Sequence, residues 1–291
     1  MNQSATGEPK DITSTTRPIP YPDDLYHFDT VADNISGGFS AVTDTDIEYF
    51  HQYGYLVIED AFTPDEVKAA LAGMVHLMDG KNPEFRAIQF EPKLAKLKDE
   101  MDADDRRDAI RKIFNYVNHE PRLNAMAAHA GLLGVLERIM NDKPALFQDM
   151  ALVKPPRNGS EKPWHQDCAY FNLEHGTTVV GVWIALDEAT AENGCMHIIP
   201  GSHNEGPMIH FKRRDWQICD TDVPIARDTM VPLKPGGCLF WHGLTHHGSP
   251  VNHSSQRRRA LQLHYKPASS EDITTQDRME VYGSEGKDVD C

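Results

Sequence analysis

The sequence predicts a mostly β protein, a barrel or sandwich with helices on its N-terminal side, and three observations predict it. From about residue 145, short apolar runs alternate with Pro, Gly and Asn clusters, the texture of an all-β sandwich or barrel. Between residue 44 and that point the apolar spacing is mainly helical. Ahead of both, residues 1–43 are rich in Ser, Thr, Pro, Asp and Gly and keep no period. That segment reads as a flexible N-terminal arm or loosely docked leader, and residues 44–291 as one domain.

Each element has its own justification. A helix starts near Asp44 and stops before Gly54, and Tyr55-Leu56-Val57-Ile58 makes a short strand. The next helix has Thr63 as N-cap, Pro64 in its first turn, and Asp65 and Glu66 complementing the dipole. Its Val67, Ala70, Leu71, Met74 and Met78 share a face. Two more helices are expected over 104–116 and 122–140. Strands are expected at 146–153, 179–186, 196–199, 238–241 and 260–265.

Composition narrows the class. The chain has 291 residues, 40% hydrophobic and 25% charged, enough for one sizeable core in an ordinary soluble domain. Lys and Arg number 29 against 44 Asp and Glu, so a net charge of -15 repels a phosphate backbone and argues against nucleic acid. No stretch approaches the roughly eighteen apolar residues of a membrane helix, and the N-terminus lacks the features of a signal peptide. A cytoplasmic protein is the expectation. The five cysteines are widely spaced and expected as reduced, mostly buried thiols.

The chemistry centres on histidine, of which there are 15. In Trp164-His165-Gln166-Asp167, alternate residues at a strand end point the same way, so an imidazole and a carboxylate can meet on one metal ion. A third imidazole from a distant strand completes a 2-His-1-carboxylate face, which leaves positions open on Fe(II). His242, His246 and His247 are the candidates for it; a regular strand aims His246 away from His247. Beyond them, Arg257-Arg258-Arg259 leads into an apolar strand, where one guanidinium can turn inward toward a carboxylate.

These residues carry a resemblance to the phytanoyl-CoA dioxygenase family. The match runs from about Asp46 to Lys266. It includes Tyr53-Gly54-Tyr55-Leu56-Val57-Ile58, Gln148, Lys154-Pro155-Pro156, His165-x-Asp167, the stretch from Asn193 to His203, His247-Gly248-Ser249 and Arg258-Arg259-Ala260. The resemblance implies a double-stranded β-helix (jelly-roll, cupin-like) core with N-terminal helices. It implies His165, Asp167 and His247 as iron ligands and Arg258 as partner of the far carboxylate of 2-oxoglutarate, with Lys154 and Trp183 also contacting the co-substrate. Family-like halogenases lack the carboxylate ligand, so Asp167 points to hydroxylation.

The implied activity is that of a 2-oxoglutarate-dependent non-haem iron dioxygenase, a hydroxylase using Fe(II), 2-oxoglutarate and O2. Gln148, Tyr170, Phe171 and Asn172 are the candidate substrate contacts. The basic run Lys212-Arg213-Arg214 suggests a small anionic or zwitterionic substrate, or simply a solvated loop. Two rivals are a metal-dependent cupin-like enzyme that does not use 2-oxoglutarate, against which Arg258 and Lys154 count, and a non-catalytic metal-binding sensor.

Overall fold

A computed structural model describes residues 21–283 apart from 93, 98 and 99. The chain first forms α1 (Asp44–Tyr53), β1 (Tyr55–Ile58), α2 (Pro64–Met78), β2 (Ile88–Phe90), α3 (Ala103–Asp108), β3 (Ile110–Phe114), α4 (Pro121–Ala127) and α5 (Ala130–Met140). It continues with β4 (Pro144–Lys154), β5 (Lys162–His165), β6 (Val180–Ala185), β7 (Met196–Ile198), β8 (His210–Lys212) and β9 (Trp216–Ile218). Last come β10 (Thr229–Val231), β11 (Cys238–His242), β12 (His247–Ser249), β13 (Arg258–Pro267) and α6 (Thr275–Tyr282).

The strands build a cupin-like jelly roll. The larger sheet has the order β1-β11-β6-β13-β4-β3-β2 and the smaller β10-β7-β12-β5, every paired strand antiparallel, with β8 and β9 as a separate hairpin. One face of the larger sheet is covered by the helices. Phe50, Met74, Leu77, Leu132 and Leu136 pack there on Ile58, Ile113, Ala151, Val182 and Phe240, forming the main hydrophobic cluster. The other face turns toward the smaller sheet and the barrel interior.

Local chemistry accounts for the elements. Thr43 and Thr63 each close a capping box, with Asp46 and Glu66 returning the bond, and Pro64 occupies the first turn of α2. The expected helix over 104–116 is a correction: α3 ends at Asp108 and Ile110–Phe114 is strand β3. Phe90 pairs with Ile110 and Gln89 with Lys112, so Arg111 is an extra, bulged residue. The bulge lets Ile110 and Ile113 both bury against the helices, a spacing of three that imitates a helix face. The expected helix over 122–140 is likewise two helices, divided where His129 becomes the N-cap of α5 and accepts from the Gly131 N–H at 3.2 Å.

Of the expected arm, residues 1–20 lie outside the described residues. Residues 21–43 run along the barrel: Leu25 and Tyr26 are buried, Tyr26 stacks on Trp164 at 5.4 Å, and bridges join Val31 to Met230 and Ile35 to Ile58. Cys168, Cys195, Cys219 and Cys238 are free thiols, the last three buried, and Cys291 lies outside the described residues. No described helix is long and apolar enough to cross a membrane.

Gly54 ties α1 to the barrel. It ends the helix with φ +77°, and a Cβ there would sit 2.4 Å from His203 Nδ1 and 2.5 Å from Thr245 Oγ1. Gly54→Ala is therefore expected to cost about 1–3 kcal/mol through overpacking and strain, read as a lower urea midpoint; an unchanged midpoint contradicts this packing.

Candidate metal and co-substrate site

His165 closes β5 and His247 opens β12, and the two are direct cross-strand partners. Their rings therefore meet inside the barrel, with centroids 4.1 Å apart. One extended residue, Gln166, then carries the chain to Asp167 at the head of a 3-10 turn. Asp167 Oδ1 lies 3.5 Å from His165 Nε2, and Asp167 Oδ2 lies 3.5 Å from His247 Nε2. One donor atom from each of the three falls within 4.8 Å of the others, and all three residues are buried.

The tautomers are set by the backbone. His165 Nδ1 faces Pro163 O at 2.8 Å and His247 Nδ1 faces Thr245 O at 2.9 Å. A carbonyl only accepts, so both Nδ1 atoms carry the proton and both Nε2 lone pairs face the carboxylate. Burial holds both rings below their ordinary pKa and therefore neutral; for His165 the Lys162 charge adds to this. Burial alone would raise the Asp167 carboxyl. The hydrogen bond from His264 works against that and helps hold the group well below the usual carboxylate range.

His247 Nε2 is buried with no hydrogen-bond partner. An unmatched acceptor aimed at a carboxylate is what a shared divalent cation resolves, so these three residues fit a metal of the Fe(II) type. Among the described residues the cluster that could hold the metal includes neither His246 nor His242, whose Nδ1 accepts from the Leu244 N–H.

The triad opens on a cavity of about 250 Å³. At one end Arg258, the first residue of β13, pairs in register with Lys154 at the end of β4. Both are at least 95% buried. Arg258 Nη1 donates to Gly194 O at 2.6 Å, and its guanidinium lies 5.1 Å from the centre of the Trp183 ring. Lys154 Nζ donates to Ser249 O and Pro250 O. Among the described residues neither forms an ion pair. Burial pushes Arg258 down to about 10, and burial with the Arg258 charge pushes Lys154 well below the ordinary ammonium value.

The remaining expected contacts divide. Gln148, Tyr170 and Phe171 line the cavity. Asn172 does not: it is exposed, and its amide donates to Thr275 Oγ1 at the start of α6. Trp183 lies behind Arg258 rather than on the cavity wall. Of the basic run, Lys212 and Arg213 are exposed, while Arg214 pairs with Glu161 and Asp220.

Three residues at the site had no role in the sequence reading. Lys112 on β3 lines the cavity without an ion pair or hydrogen bond among the described residues. Burial, then the Lys162 and Arg111 charges, push its ammonium down to about 7. It was hidden by the bulge that makes β3 look helical. His264 and Trp241 both hydrogen-bond Asp167. Counting by twos from Arg258 along β13 reaches Gln262 and His264, so the strand period was the signal for the histidine.

With this geometry in view, comparison with known proteins is decisive. The family model described as "Phytanoyl-CoA dioxygenase (PhyH)" matches residues 50–260. The chain belongs to the phytanoyl-CoA dioxygenase family. Phytanoyl-CoA dioxygenase domain-containing protein 1 of Danio rerio is 28% identical over 260 residues, covering 77% of this chain and 89% of that protein. Phytanoyl-CoA dioxygenase 1 of Oryza sativa subsp. japonica gives the same figures. Among solved structures, EctD from S. alaskensis with 2-oxoglutarate and 5-hydroxyectoine is similar with a TM-score of 0.65 at 23% identity, over 92% of this chain and 87% of that one. The carbocyclase SnoK from nogalamycin biosynthesis is similar with a TM-score of 0.63 at 20% identity, over 87% and 98%. These structural likenesses establish the shared fold.

A metal at the triad stabilises the folded state by mass action. Mn(II) is expected to raise the Tm of the wild type in a concentration-dependent way and to leave Asp167→Ala unmoved. Equal shifts in both place the metal elsewhere.

Proposed function

We propose that this protein is an Fe(II)- and 2-oxoglutarate-dependent oxygenase that hydroxylates a C–H bond of a small molecule. The observation that carries the reading is the pair of buried, unpaired cations, Arg258 and Lys154, in the same cavity as the His165–Asp167–His247 triad. Burying a lone cation costs several kcal/mol, so two side by side call for an anion. The far carboxylate of 2-oxoglutarate supplies that charge. EctD with 2-oxoglutarate and the epimerase SnoN in complex with Fe3+ and alpha ketoglutarate are both similar in fold.

In this reading His165, Asp167 and His247 hold the iron. Bound there with 2-oxoglutarate, the iron supplies O2-driven oxidation coupled to decarboxylation of the co-substrate to succinate. Arg258, stiffened by Trp183 and the Gly194 carbonyl, fixes the co-substrate's orientation, and Lys154 adds the second charge. Lys112, which forms no ion pair among the described residues, adds a third basic group to the wall that faces the dianion. Lys162 is already engaged, its Nζ 2.8 Å from Asp215 Oδ2 and 2.9 Å from Tyr170 Oη, and so shapes the wall instead of binding the ligand. Phe114, Met150, Leu152 and Phe171 keep water away from the reacting centre. Gln148, Tyr170 and Phe171 are left to contact a substrate small enough for the volume that remains.

Protein loaded with Fe(II) without oxygen, then given 2-oxoglutarate and air, is expected to form succinate slowly even without its substrate. Asp167→Ala and Arg258→Ala should each lower that rate at least about a hundredfold, about 2.7 kcal/mol of lost stabilisation. Wild type that binds iron yet leaves 2-oxoglutarate intact under every candidate substrate contradicts the proposal.

Lys112 adds a pH dependence. Burial and the neighbouring cations push its ammonium down to about 7, and a bound dicarboxylate raises that value, so the complex holds more protons than the free protein. Affinity for 2-oxoglutarate is then greatest below pH 7 and falls as pH rises through that value, by at most about tenfold per unit. Calorimetry across pH 6–9 checks this; Lys112→Met should bind more weakly with a shallower slope, Lys154 supplying what remains, and an unchanged slope contradicts the assignment.

A further inference from the structure

Asp167 receives two hydrogen bonds from side chains that hold no metal, and both fall on one oxygen. Trp241 Nε1 donates to Oδ2 at 2.8 Å, and His264 Nε2 lies 2.9 Å from the same atom. A carboxylate only accepts, so the His264 nitrogen facing it carries a proton. Oδ1 faces His165 Nε2 and Oδ2 faces His247 Nε2, each at 3.5 Å, but among the described residues only Oδ2 takes hydrogen bonds.

Neither donor arrives there cheaply. A Cβ on Gly181 would stand 2.3 Å from the Trp241 ring, so the indole crosses β6 only because residue 181 has no side chain. His264 is fully buried among the Phe147, Phe171 and Trp241 rings, and its Nδ1 has no partner. A half-satisfied buried imidazole costs stability. Its bond to Asp167, strengthened by the apolar surroundings, is the evident compensation.

We propose that Trp241 and His264 are positioning residues that hold Asp167 Oδ2 and present Oδ1 alone to the metal. The inference rests on the metal reading above and deepens it. A carboxylate free to swing and chelate through both oxygens would occupy a further coordination position, one that the co-substrate or O2 requires. Gln262 and His264 stand on the same face of β13 as Arg258, so one strand carries both the co-substrate cation and half of the clamp.

Co(II) titration tests this, because its visible absorption reports coordination number as well as occupancy. His264→Leu removes the donor, Trp241→Phe removes only the N–H while keeping the ring, and His264→Gln returns an amide N–H near the position of Nε2. Removing either donor should weaken Co(II) about tenfold to a hundredfold and change the band shape; His264→Gln should recover most of both. A Trp241→Phe or His264→Leu protein that keeps wild-type affinity and spectrum overturns the clamp, as does a His264→Gln protein no better than His264→Leu. If instead wild type binds no Co(II), or Asp167→Ala binds it equally well, the metal reading itself falls and takes the clamp with it.

Discussion

Two cations cannot sit side by side in a protein interior without something to answer their charge, and the pairing of β13 with β4 puts Arg258 opposite Lys154 in that position. Backbone carbonyls and the Trp183 face meet part of their hydrogen bonding, with Arg258 Nε left without a partner, and none of their charge. The cavity between this pair and the triad is therefore electrostatically incomplete. Its basic wall and the neutral histidines at its other end suit an anion and a divalent metal held together.

The barrel achieves this through strand register. His165 and His247 meet because β5 and β12 pair at those residues, and Arg258, Gln262 and His264 share one face because β13 keeps a period of two. The helices cover the opposite face of the larger sheet, so the site face carries polar side chains without exposing the core. Support extends outward from the carboxylate: Gly181 makes room for Trp241, and Trp241 reaches Asp167.

Much of the site was legible because its chemistry is written in short spacings. His165-x-Asp167, the adjacent histidines 246 and 247, and an arginine at the mouth of an apolar strand each restrict direction and distance on their own. The β-rich second half was legible from turn residues between apolar runs, and α2 from its capping box and proline. What stayed hidden involves irregularity or tertiary partners. The bulge at Arg111 gives β3 a helical spacing and so concealed Lys112. The break at His129 depends on its ring lying 5.2 Å from both Phe39 and Phe62, contacts no local pattern announces. Asn172 was read as facing the substrate, but its neighbour in space is Thr275 of α6, a hundred and three positions away in the chain.

The most direct test of the central claim is diffraction from crystals grown without oxygen in the presence of Fe(II) and 2-oxoglutarate, measured at the iron absorption edge. The account predicts one anomalous peak among His165 Nε2, Asp167 Oδ1 and His247 Nε2, with continuous co-substrate density ending in a carboxylate against Arg258 and Lys154. An iron peak elsewhere, or a filled metal site with Arg258 and Lys154 facing no anion, contradicts it.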